Sequence, residues 1–123
     1  MQCTFPYPLQ SNNMLNCTQS ASEFTISTDS LIDYNPTIAV LNDGGFVVVW
    51  FDNNAGNIHG RMYDSTGTNP GSEFTIGTDG LIDYNPTIAV LNDGGFVVVW
   101  FDNNAGNIHG RMYDKPKGTC LNT

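Results

Sequence analysis

The chain has 123 residues, 40% of them hydrophobic and 11% aromatic, and its 12 acidic side chains stand against 4 basic ones for a formal net charge of −8. That much Phe, Val, Ile and Trp can build a core, so the middle of the chain is no disordered acidic tail, and the length suits one ordinary domain or a few small repeats. With Arg61, Arg111, Lys115 and Lys117 as its only cations, the chain repels phosphate backbones and anionic lipid heads, which argues against nucleic acid and membrane surfaces as partners.

Residues 1–21 read as a polar amino-terminal tail that holds Cys3 and Cys17. Its start lacks the basic residues and apolar stretch of a secretion signal, so the expectation is either a mature or excerpted chain or one whose signal is missing. No apolar run in the sequence approaches the roughly 20 residues that span a bilayer as a helix. From residue 22 a repeat organises everything: residues 22–64 recur at 72–114 with a period of 50, and the copies differ only where Ser27 and Ser30 become Gly77 and Gly80. Residues 22–71 and 72–114 are therefore read as two repeats, and residues 115–123 as a second tail, with Cys120.

Within each copy the hydrophobic period is two. Residues 23–26 alternate, with Phe24 and Ile26 apolar; residues 36–41 are an apolar run behind a proline; residues 46–51 are six consecutive apolar residues; residues 57–63 alternate again. The stretches 42–45 and 53–56 between them are rich in Asn, Asp and Gly, the residues tight turns require. This predicts four antiparallel strands per copy and no helix. A period near 50 with such content is that of propeller blades, each copy one small sheet.

The third strand sets the packing problem. Side chains 46, 48 and 50 point to one face and 47, 49 and 51 to the other, so both faces need cover. Stacking sheet on sheet covers internal faces and leaves one bare face at each end. Exposing about six large side chains at roughly 1.5–3 kcal/mol each costs on the order of 10 kcal/mol, comparable with the whole stability of a domain. Two copies alone are thus expected to need partners, with Phe24, Ile26, Val47, Val49, Phe51, Val97, Val99 and Phe101 as the assembly surface. Strand order adds a second reason: residues 23–26 would be the outer strand of a preceding blade, while Tyr113 and Asp114 have no such follower. One edge is offered and one is vacant, which suits a ring if the rotation closes and a head-to-tail filament if it does not.

The string Asn35-Pro36-Thr37-Ile38-Ala39-Val40-Leu41-Asn42-Asp43-Gly44-Gly45-Phe46-Val47-Val48-Val49-Trp50, with Gly60-Arg61-Met62-Tyr63-Asp64 and Ser72-Glu73-Phe74, resembles tandem repeats of large secreted bacterial proteins of the haemolysin-type or adhesin kind, and of surface proteins of some protists. The resemblance covers residues 22–114 and implies propeller-like blades that act as scaffold or contact surface. The glycine- and aspartate-rich nonapeptides that bind calcium in the haemolysin class are absent, so that site does not carry over. The cysteine-bearing tails depart from the bacterial pattern and favour a eukaryotic or strongly oxidising exterior.

Chemistry has few candidates. Cys3, Cys17 and Cys120 lie outside the repeats, and an odd count leaves either an intermolecular bridge or a Cys3–Cys17 loop with Cys120 paired elsewhere. Asn16-Cys17-Thr18 is the one N-glycosylation acceptor, because Pro36 blocks Asn35. Asp52, with Asn53, Asn54 and Asn57, offers oxygen ligands but too few carboxylates for calcium unless Asp29 or Asp33 folds over, so turn formation accounts for them better. His59 and His109 share a strand face with Arg61 and Arg111, and the spacing brings no nucleophile to them. The expectation is an all-β, non-catalytic, extracellular protein without cofactor or metal, whose partners are copies of itself or adjoining repeats. The alternative is a carbohydrate- or calcium-dependent binding module, with Trp50 and Tyr63 as stacking rings.

Overall fold

The structure is a computed structural model that describes residues 15–28, 32–53, 56–77 and 83–114. They form two antiparallel sheets and no helix. The first runs β1 (Asp33–Val40), β2 (Phe46–Asp52), β3 (Asn57–Tyr63) and β4 (Phe74–Thr75), each beside the next in sequence; the second runs β5 (Asp83–Val90), β6 (Phe96–Asp102) and β7 (Asn107–Tyr113).

Local chemistry explains the meander. Between β1 and β2 the chain turns through Leu41 and Gly45, whose amide and carbonyl join at 2.7 Å, while the Asp43 carboxylate accepts the Gly45 amide at 2.9 Å. Gly44 sits there at φ 91°, a conformation a side chain would strain. After β3 the Asp64 carboxylate accepts the Thr66 hydroxyl at 2.6 Å, the Asn69 amide at 2.6 Å and the Thr66 and Gly67 backbone amides at 3.0 Å each. These bonds, the Thr66 hydroxyl first, draw its carboxyl down to about 2 and fold the connection to β4.

Two sequence expectations change. The first long strand begins at Asp33 rather than residue 36, because a register shift between Tyr34 and Thr37 absorbs Pro36, which has no amide to give the ladder. Residues 23–26 belong to no sheet, whereas their equivalents in the second repeat supply β4, with His59 opposite Thr75 and Gly60 opposite Phe74. The Ile76 amide continues this contact, donating to the Ile58 carbonyl at 2.6 Å. The sheets therefore have four strands and three, not four each: the second repeat's opening strand completes the first repeat's sheet, and the second sheet lacks its own.

The core lies between the sheets. Leu41, Val47, Val49, Phe51 and Ile58 of the first repeat form one cluster with Ile76, Phe96, Val98 and Trp100 of the second, and β5 runs against β1, β2 and β3. On the opposite side of the first sheet Val48 and Trp50 are also buried, beneath Phe24, Ile26 and Ser27, which line a cavity of about 180 Å³ with them. Phe24 meets Tyr63 at a ring distance of 5.5 Å, just as Phe74 meets Tyr113 at 5.7 Å. Residues 22–28 thus cover the first sheet as residues 72–77 cover the second.

Candidate functional site

Sequence-identical strands in unlike surroundings are the feature that bears on function. In the first repeat Val47, Val49 and Phe51 are 0%, 0% and 2% exposed, because the second sheet covers them. Their counterparts Val97, Val99 and Phe101 are only half-buried, and Ile108 and Met112 beside them are 68% and 70% exposed. On the opposite faces the difference lies chiefly in the first strand of each sheet, because Val48 and Trp50 are as buried as Val98 and Trp100. Phe96, Val98 and Trp100 are buried and Ile88 and Val90 half-buried, while Ile38 and Val40 of the first repeat are 61% and 68% exposed. One end of the molecule thus presents Val97, Val99 and Phe101, and the other presents Ile38 and Val40 of β1.

A polar cluster tells the edges apart. Glu73 leads into β4, beside β3. Its Oε2 accepts the Thr28 hydroxyl at 2.6 Å and the Thr28 amide at 2.8 Å, and lies 3.4 Å from an Arg61 guanidinium nitrogen; its Oε1 lies 3.4 Å from His59 Nδ1. His59 is also 3.6 Å from the buried carboxylate of Asp52 and stands beside the Trp50 ring. Burial raises the Glu73 carboxyl, but the Thr28 bonds, His59 and Arg61 outweigh it and hold the group below its ordinary range. One carboxylate so ties the segment over the first sheet to that sheet's edge.

The second repeat keeps half of this cluster. His109 lies 3.5 Å from Asp102 Oδ2 and packs on Trp100. Among the described residues no carboxylate takes the place of Glu73, and Arg111 is exposed with no ion pair. Glu23, the sequence equivalent of Glu73, is exposed at the far side of the first sheet. Among the described residues, 23–26 pair with no strand and β7 pairs with β6 alone.

Of the residues expected at an assembly surface, Phe24 is exposed and Ile26 half-buried; Val47, Val49 and Phe51 face the second sheet of their own chain; Val97, Val99 and Phe101 line the open face. Asn16 and Cys17 are exposed, and Cys17 is a free thiol among the described residues, while Cys3 and Cys120 lie outside them. So does Asp29. Trp50 and Tyr63 are buried by the chain itself, so neither offers a ring face to a sugar. Among the described residues no group of three or more His, Cys, Asp or Glu side chains is placed to hold a metal ion. Sequence reasoning did not single out Thr28, Tyr34, Asn35 or Asn85 as contacts. The one available signal was their recurrence at the repeat period.

No protein-family model, curated protein or solved structure matches this chain.

Proposed function

We propose that this chain is a non-catalytic structural module, two propeller-like blades that complete their packing by joining copies of themselves or adjoining repeats of a longer chain. The product is a closed ring or a head-to-tail filament, which serves assembly or adhesion outside the cell. The unequal burial of identical strands carries this reading. Val97, Val99 and Phe101 are open where Val47, Val49 and Phe51 are closed, and Ile38 and Val40 are open where Ile88 and Val90 are partly covered. The two open faces are unlike, so contact between copies is heterologous and propagates from one molecule to the next. The formal charge of −8 keeps such an assembly from collapsing into precipitate. An extracellular setting is supported by the exposed Asn16-Cys17-Thr18 acceptor and by cysteines confined to the tails.

Sedimentation velocity over a wide concentration series, joined to negative-stain electron microscopy, tests the proposal. Species larger than the monomer that grow with concentration, seen as rings or fibres, are expected. A single monomeric boundary at every concentration overturns it.

A further inference from the structure

We infer that residues 22–28 of one copy act as the missing fourth strand of the second sheet of another copy, with Thr25 opposite His109, Phe24 opposite Gly110, and Glu23 paired with Arg111. This rests on the self-association proposed above and specifies its contact. The template is inside the molecule. Residues 73–76 of the second repeat lie on β3 of the first with Thr75 opposite His59 and Phe74 opposite Gly60, and Glu73 reaches Arg61 and His59. Advancing that relationship by one repeat puts residues 23–26 of the next copy on β7.

Three independent features of the free surfaces fit this occupant. The first is charge: Glu23 and Arg111 are exposed at the two unpaired edges with no ion pair among the described residues, and His109 is 42% exposed, whereas their equivalents are joined. In a chain with 12 acidic and 4 basic side chains, Arg111, the one Lys or Arg among the described residues of β7, favours an acidic strand. The second is shape. A Cβ on Gly60 would stand 2.9 Å from the Phe74 ring, so glycine at that position makes room for the crossing aromatic; Gly110 has the same space, and there a Cβ would meet only Val99 and Val98 of its own sheet within 4 Å. The third is aromatic order. Phe51 stands between Tyr34 and Tyr84, at ring distances of 6.2 and 5.3 Å, while Phe101 is half-buried and Tyr34 is 46% exposed, placed to receive one another.

The chain's own residues 22–28 do not reach β7. They are held on the far side of the first sheet by the Phe24 contact with Tyr63 and the Thr28 bonds to Glu73. The motif Glu-Phe-Thr-Ile occurs at 23–26 and 73–76 and nowhere else in the sequence, and the second of these already pairs with β3. A strand adding to an open edge gains affinity from backbone bonds and specificity from alternate side chains, here Glu23 and Thr25 on one side and Phe24 and Ile26 on the other.

Charge exchange tests the contact. Glu23→Arg and Arg111→Glu each place like charges together and are expected to raise the midpoint concentration of assembly about tenfold, roughly the penalty of one unfavourable contact. The double variant Glu23→Arg/Arg111→Glu is expected to return it to within about twofold of wild type. Both side chains are exposed in the single chain, so unfolding midpoints at high dilution should stay level. If wild type assembles but the three variants share its midpoint, or the double variant gains nothing over the singles, the strand contact is wrong and self-association proceeds elsewhere. If wild type remains monomeric throughout, the broader reading falls and this one with it.

Discussion

The Asn35 side-chain amide donates to the Asn85 side-chain oxygen at 3.1 Å, so equivalent residues of the two repeats touch each other directly. Both asparagines sit at positive φ, 53° and 54°, just ahead of the prolines that interrupt β1 and β5. Asn42 repeats the relation, its amide reaching the Asn92 carbonyl at 3.4 Å. Two pairs of equivalent residues thus meet directly across the two repeats.

The asparagine pair gives a sharp mutational contrast. Asn85→Ala loses the bond from Asn35 and strains a left-handed backbone, and is expected to cost about 1–2 kcal/mol. Asn85→Gly relieves the strain and should cost less despite losing the same bond. Urea unfolding of the two variants checks this, and equal losses would show that the backbone conformation is of no consequence there.

Val49 and Val99 test the unequal packing. Val49 is fully buried between the sheets and Val99 lines the open face. At high dilution Val49→Ala is expected to lose about 2 kcal/mol, the value of the removed methyl groups plus the cavity they leave. Val99→Ala should lose less than half of that. The comparison needs only chemical denaturation, and matching losses would mean that the second sheet's outer face is covered after all.

Acid should loosen the Glu73 cluster. The folded-state pKa of Glu73 lies below the ordinary 4.5, so its contribution to stability is complete above that value and fades as pH falls through the folded one. Glu73→Gln keeps the shape but removes the titration. Thermal unfolding from pH 6 downward should show a gap between wild type and variant that narrows below about pH 4.5. A gap that holds constant into acid would assign the loss to the hydrogen-bond geometry alone. Asp64, drawn down to about 2, stays ionised across most of this range and leaves the comparison clean.

The sequence by itself determined the two later strands of each copy, the turns and the 50-residue repeat. A period of two over 46–51 and 57–63, with Asp43 and Gly44 between the runs, is short-range information, and steric and hydrogen-bond preferences act on it within a few residues. It also pointed to a second sheet short of a fourth strand, because the order of four segments in each copy is written in the chain, but its strand over residues 23–26 belongs to no sheet. It could not distinguish Val49 from Val99, or Ile38 from Ile88, since their neighbours in sequence are the same. Only the tertiary structure decided which is covered. Burial depends on what lies about 10 Å away across a sheet face, and in this chain the surface that covers Val47, Val49 and Phe51 comes from the other repeat, 50 residues distant. The joining of Thr28, Glu73, Arg61 and His59 arises in the same way, from strands brought together by packing rather than from any local pattern.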